Sequence, residues 1–205
     1  MYPKFEVPGV RLEDIWRLFN TSNYAYYRQT VADLREGRCP FCQIDTGRNR
    51  TLYENNSWRL WKNDVAPRSG QECQLVAPSK RDVQNILELT REEWNDFYDL
   101  IHWAKDNLGV GGDGVWVVRT GDPARNAKSV PHLHFNFHLP TGKDRVEVTI
   151  AKSQEDLQKK LPLLLAFEKL RATEETLGYQ RPFYVLTKEE FNLIRDKLEP
   201  PKTAK

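Results

Sequence analysis

Long apolar runs are missing from this chain. Nothing in its 205 residues approaches the roughly 18 consecutive apolar positions that a membrane-spanning helix needs. The amino terminus, MYPKFEVPGVRLEDIW, has acidic residues and lacks the apolar h-region of a signal peptide. The expectation is a cytoplasmic, reducing compartment and no membrane partner. An excess of one charge is lacking as well. Lys and Arg number 31 against 29 Asp and Glu, a formal net charge of +2, too mild for bulk charge to argue for nucleic acid. The chain has only three cysteines, so a disulfide framework is not expected. Internal repeats and low-complexity segments are also absent. Histidine is scarce, four in all, yet three of the four fall in one stretch.

That stretch is Ser129 to Pro140, SVPHLHFNFHLP. His132, His134, Asn136 and His138 alternate with Leu133, Phe135, Phe137 and Leu139. Successive strand residues point to opposite faces, so this is a polar stripe backed by an apolar one. The apolar side would anchor the strand in a core. The polar side would display imidazoles roughly 7 Å apart, two residues' rise. The other marked motif is Cys39-Pro-Phe-Cys42, set in a turn context after Gly37. Two thiolates at this spacing suit a zinc knuckle. A thioredoxin-like dithiol would need a strand before it and a helix after it, whereas Asp45, Thr46, Gly47, Arg48 and Asn49 are loop residues. Zinc, a redox pair and a metal-free remnant all remain open on spacing alone, and two thiolates are only half a metal site.

The rest of the chain reads as helices and strands in alternation. A short helix is expected within Leu12–Phe19, and a second, capped by Ser22 or Asn23, running to Gly37. Residues 51–63 suggest two strands joined at Asn55-Asn56. Gln74 to Pro78 reads as a short strand, with Cys73 beside it as a small buried residue. Thr90 and Glu93 form a capping box for a long helix with an apolar stripe of Trp94, Phe97, Tyr98, Ile101 and Ala104, and His102 on its flank. Val115 to Arg119 is expected to be a buried strand, and Arg145 to Ala151 the antiparallel strand after the histidine stretch. A helix begins at Ser153, with Pro162 placed to kink or split it. A linker is expected over 173–182 and a last helix over 187–198.

This order of features resembles the histidine triad (HIT) superfamily over roughly residues 37–140: a CPFC knuckle, a hairpin, a strand ending in proline with a basic turn, a long helix, a strand, then SVPHLH. The resemblance implies an α+β fold, HIT-like, with an antiparallel sheet and helices packed on one face. Residues 37–152 would be the catalytic domain, with helical extensions at 1–36 and 153–205. By resemblance, His134 is the nucleophile that attacks the α-phosphorus of a nucleotide and forms a nucleotidyl-histidine intermediate. Ser129, Lys128 and Asn136 are the candidates to contact the phosphate. Asn63 or Asp64 would hold ribose hydroxyls. His138 would either serve the leaving group or be an exposed strand-end histidine. Zinc-bearing members combine the two cysteines with the first histidine of the motif and a histidine after the proline-ended strand. This chain departs at that last place by having Asp82, which either completes the site as a carboxylate or marks a lost or weakened one. The matching set here is Cys39, Cys42, His132 and Asp82, which would make a structural zinc site.

Two departures from the family pattern bear on function. Asn136 replaces the third histidine, and an amide cannot shuttle a proton near neutral pH. The galactose-1-phosphate uridylyltransferase and dinucleoside-polyphosphate phosphorylase branches have a similar amide there. Lys128 stands where the family often has Gln, to hold phosphate or to face solvent. The reading is a nucleotidyl hydrolase or transferase acting on a nucleoside polyphosphate, such as a dinucleoside polyphosphate, or on a nucleoside phosphoramidate. The alternatives are a nucleotide-binding module without turnover, or action on nucleic-acid ends or caps, suggested by the basic residues around 80–81 and 125–128. The resemblance also allows a homodimer. The segment Tyr179–Tyr184 would cover the pocket or pack on a partner subunit.

Overall fold

The computed structural model describes residues 2–43, 50–63, 70–110, 112–123 and 125–178. Asp64, the loop at 45–49, Tyr179–Tyr184 and the helix expected over 187–198 lie outside the described residues. In chain order the elements are a 3-10 turn (Leu12–Asp14), α1 (Trp16–Phe19), α2 (Tyr24–Arg35), β1 (Thr51–Glu54), β2 (Arg59–Lys62), β3 (Gln71–Pro78), a second 3-10 turn (Ile86–Glu88), α3 (Arg91–Leu108), β4 (Val115–Val118), β5 (His134–Pro140) and α4 (Gln154–Thr176). They fall into two compact units, Arg38–Ala151 and Met1–Gly37 with Lys152–Lys205. No helix among the described residues is long and apolar enough to cross a membrane.

The unit Arg38–Ala151 is α+β. Its antiparallel sheet has the order β1-β2-β3-β5-β4. The hairpin between β1 and β2 turns where the asparagines predict it, because Asn55 Oδ1 accepts from the N–H groups of Ser57 and Trp58. Both halves of the capping box form at the start of α3: Thr90 Oγ1 accepts from Glu93 N–H and the Glu93 carboxylate accepts from Thr90 N–H. The helix stops at Gly109, whose φ of 64° suits a residue without a Cβ. Phe97, Leu100 and Ala104 of α3 bury against one face of the sheet, with Trp58, Leu60, Leu75, Ala77, Leu133, Phe135 and Phe137. Phe97 stacks on Phe135 with ring centroids 4.1 Å apart.

Several expectations are corrected here. Trp94 and Tyr98 are not part of the buried stripe; they are 40% and 61% exposed. At 3.6 residues per turn, Tyr98 lies about 100° around from Phe97, and Leu100 takes the inward place. The strand read at Val115–Arg119 ends at Val118 and lies at the sheet edge, with Val115 exposed. Arg145 to Ala151 is not a strand. Its carbonyls are engaged elsewhere: Arg119 Nη2 donates to Thr149 O and Ala127 N–H donates to Ile150 O. β3 begins at Gln71, three residues earlier than the sequence pattern suggests.

In the other unit, α1, α2 and α4 share a core of Phe5, Val7, Ile15, Leu18, Phe19, Tyr27, Val31, Leu157 and Leu164. The two sequence extensions therefore pack with each other. Asn23 caps α2 by accepting from Tyr26 N–H, and Ser153 caps α4 through Asp156 N–H. Pro162 does not split α4, which runs unbroken past it to Thr176, into the span read as a linker. Proline removes one helical hydrogen bond, but Leu157 before it and Leu164 after it are both buried in the core. A buried ion pair, Arg28 with Glu174 at 3.2 Å, joins α2 to α4.

Candidate functional site

The site grows out of β5, an inner strand. β3 lies on one side of it and β4 on the other. Leu133, Phe135 and Phe137 go into the core beneath α3, so His132, His134, Asn136 and His138 share the opposite side. That side is not displayed to solvent as expected. His132, His134, Asn136 and His138 are only 0%, 8%, 7% and 5% exposed. His138 is thus a buried residue and not an exposed strand end, and Lys128, 1% exposed, does not face solvent.

Four ligand-type side chains meet at the His132 end. The donor atoms of Cys39, Cys42, Asp82 and His132 all lie within 4.8 Å of one another. His132 Nδ1 is 3.5 Å from Cys39 Sγ, 3.4 Å from Cys42 Sγ and 3.1 Å from Asp82 Oδ1. A tetrahedral zinc site with ordinary Zn–S and Zn–N bonds has ligand-to-ligand edges of roughly 3.3–3.8 Å. The other nitrogen of His132, Nε2, donates to the carbonyl of Ser79 at 2.8 Å. That bond fixes the tautomer with its lone pair on Nδ1, the nitrogen facing the thiols and the carboxylate. Burial by itself would raise the Cys39 thiol, but the His132 imidazole and the N–H groups of Phe41 and Cys42 outweigh it and hold it below its ordinary value. Cys42 is pushed up to about 12 by burial and by the electron-rich Cys39 and Asp82 beside it. Crowding of this kind is relieved by a divalent cation. The residues therefore fit a metal, in a Cys₂-His-Asp set.

The knuckle also carries Phe41. Its ring packs edge-on against His134 at 4.9 Å and His132 at 5.7 Å, and lies 5.6 Å from Trp61 of β2. The turn that holds the cysteines thus sets an aromatic wall beside the next histidine.

His134 Nδ1 lies 2.8 Å from the carbonyl of His132 and donates to it. The proton is held on Nδ1, so the lone pair is on Nε2. The imidazole is pushed down to about 4, chiefly by burial. The positive charges of Arg119 and Lys128 add to this, against the pull of the His132 carbonyl. At neutral pH it is therefore uncharged.

Arg119 entered the sequence reading only as the end of a strand, with no functional role. The β4–β5 register pairs Val117 with Asn136 and Val118 with Phe135. Continued by one residue, it sets Arg119 opposite His134, on the same side of the sheet. Its guanidinium donates to Thr149 O from Nε at 3.2 Å and from Nη2 at 2.7 Å. Only the pairing register reveals this neighbour; an arginine one residue past a short strand carries no signal of its own. Lys128 lies on the loop before β5, with Nζ 3.5 Å from Gln84 O, and burial lowers its pKa. Ser129 is half-buried on the same loop.

Farther along the row, Asn136 Oδ1 accepts from Gln74 Nε2 at 3.3 Å. Gln71 Nε2 donates to His138 Nδ1 at 2.6 Å. Asn63 donates its backbone N–H to Gln74 O, which aligns it with Gln74 and His138 across β3 and β5. His102, on α3, packs against Tyr98 with ring centroids 4.3 Å apart and planes tilted by 46°, and takes no part in the cluster.

No family model matches the chain, and no curated protein matches it. Solved structures do. A HIT-family protein from Bacillus subtilis is 21% identical over 62% of this chain and 95% of its own, with a TM-score of 0.40. A zinc-bound histidine triad family protein from Mycobacterium smegmatis is 19% identical over 62% and 93%, at 0.39. A diadenosine triphosphate hydrolase from Plasmodium falciparum is 13% identical over 60% and 78%, at 0.34. Scores of this size carry no argument about activity, so what the site does has to be read from its own residues.

Proposed function

We propose that the chain is a HIT-like nucleotidyl hydrolase or transferase that works through a nucleotidyl-His134 intermediate. The observation that supports it most is the state of His134: an uncharged imidazole, its Nδ1–H tied to the His132 carbonyl, with a cationic residue, Arg119, one position past the end of the adjoining strand. In this reading the Nε2 lone pair attacks the α-phosphorus. The bond from phosphorus to the bridging oxygen or nitrogen breaks, and that atom departs with the electron pair and takes a proton from water. Water, or another acceptor hydroxyl or phosphate, then attacks phosphorus; the P–N bond breaks and returns its pair to the imidazole. Splitting one displacement into two in this way is the usual gain of covalent catalysis.

Negative charge grows on the phosphoryl oxygens in both steps. Arg119 and Lys128 would oppose it, with Asn136 Nδ2 and the Ser129 hydroxyl as neutral donors. Asn136 cannot relay a proton, so protons move through water and substrate. Asn63 and Asp64 are the candidates for ribose. Cys39, Cys42, His132 and Asp82 would hold a structural zinc, which would pin the knuckle and the first histidine of the strand. Incubation with α-labelled nucleotides, including dinucleoside polyphosphates and phosphoramidates, should give acid-labile label on the protein and a nucleoside monophosphate product. Label that persists in His134→Ala would disprove the nucleophile. Tight nucleotide binding without label or product would favour the binding module instead.

A further inference from the structure

The far end of the polar row contains a feature that regular strand geometry does not produce. In β3, Gln74, Val76 and Pro78 pair with His138, Asn136 and His134 and share their side of the sheet. Strict alternation from Gln74 would send Gln71 to the opposite side, into the core. The pairing register slips between Gln71 and Cys73, so Gln71 stands opposite Pro140 and on the polar side. Bulges of this kind re-aim a side chain and gather next to functional sites. The slip is anchored from behind. Gly70 has a φ of 81°, and a Cβ there would come within 2.9 Å of Asp144 Cβ and 3.0 Å of its carbonyl oxygen. Thr141 N–H bonds Gly70 O at 2.8 Å.

Once turned, Gln71 is 6% exposed and its amide N–H is held by His138 Nδ1. Its carbonyl oxygen, Oε1, is buried without a hydrogen-bond partner among the described residues. Asn136 Nδ2, two strand positions from His138, is in the same condition, because Gln74 occupies its oxygen. A buried amide atom left unpaired is destabilising, because it has given up water without a replacement. Two of them in one row, one an acceptor and one a donor, point to a ligand that completes both. The donor is next to the nucleophile and suits a phosphoryl oxygen. The acceptor is near His138, four strand positions or roughly 13 Å from His134. That is too far to serve the reacting phosphorus, and it matches the reach of a nucleoside from its 5′-phosphate. The two strand residues paired with His138 are uncharged, Gln74 on β3 and Val115 on β4.

We infer that Gln71 is a specificity-determining residue for the nucleoside half of the substrate, its Oε1 accepting from an N–H or O–H donor of the base or sugar. His138 is its positioning residue, holding the amide so that Oε1 points at the ligand. The inference rests on the proposed nucleotide site and deepens it. The experiment is calorimetric binding of the four ribonucleoside 5′-monophosphates to the full chain. The tightest is then compared with its 2′-deoxy form, its 3′-deoxy form and a base analogue lacking the exocyclic or imino N–H. One of these should bind at least tenfold more weakly to the wild type, and which one it is separates sugar from base. In Gln71→Leu that ratio should fall to about one, and in His138→Phe it should shrink. A ratio is not altered by the fraction of a variant that folds. Equal binding of all analogues to the wild type, or a ratio kept intact in Gln71→Leu, would overturn the inference alone. Failure of all four nucleotides to bind would overturn it together with the nucleotide site.

Discussion

Removing the metal should melt the sheet unit earlier, by an amount that can be worked out. Cys39, Cys42, His132 and Asp82 come from three separate parts of the chain: the knuckle, the turn after β3 and the residues leading into β5. An unfolded chain does not hold them together, so a bound ion stabilises only the folded state. At a free zinc concentration about a hundred times the dissociation constant, the linkage contributes about 2.7 kcal/mol. A unit of about a hundred residues has an unfolding entropy of about 0.2 kcal/mol per degree, so chelation should lower Tm by roughly 10 °C. The assay is differential scanning calorimetry of purified protein before and after chelator treatment, with zinc added back to restore the transition and elemental analysis on both samples. Cys42→Ala should abolish the zinc content. Asp82→Ala keeps three ligands and should hold zinc weakly, with an intermediate melting temperature. A native preparation with less than about a tenth of an equivalent of zinc, and a transition unmoved by chelator and by added zinc, would refute the four-ligand site.

Three further outcomes are expected. Arg119→Gln should lower kcat by about 10²–10³, with Arg119→Lys recovering part of the loss, if the guanidinium opposes phosphoryl charge; unchanged steady-state kinetics would remove it from the site. Gly114→Ala should destabilise the sheet unit by about 1–3 kcal/mol, read from a denaturant midpoint, because the new methyl would lie 2.1 Å from Cζ of the buried Phe137; an unchanged midpoint would show that Phe137 can move aside. Glu174→Gln removes the carboxylate charge that Arg28 meets at 3.2 Å and should destabilise the helical unit by about 3 kcal/mol, seen as an earlier loss of far-ultraviolet circular dichroism on denaturation. A change within about 0.5 kcal/mol, the range of ordinary surface substitutions, would contradict that ion pair.

What the sequence determined by itself is local. The alternation of His132 to Leu139 announced a strand with two unlike sides, because strand side chains obey a period of two wherever the strand lies. Thr90 with Glu93 and Asn55-Asn56 marked a helix start and a turn, since capping and turn chemistry act over three or four residues. Cys39 and Cys42 marked a turn carrying two neighbouring thiols, while spacing alone left open whether they bind metal. Asp82 entered the sequence reading only through the likeness to a known pattern, and nothing in its own neighbourhood marks it.

Tertiary structure decided the rest, because the remaining features depend on which strands pair and in what register. Asp82 reaches the thiols only once β3 lies against β5. Arg119 becomes a neighbour of His134 only through the β4–β5 register. Residues 145–151 alternate like a strand, yet their carbonyls meet Arg119 and the Ala127 N–H and no ladder forms. Gln71 turns toward His138 because one slipped pair reverses the side to which a residue points. A period-two pattern carries no record of such a slip, so the residue proposed here to read the nucleoside is one that the sequence pattern would have assigned to the core.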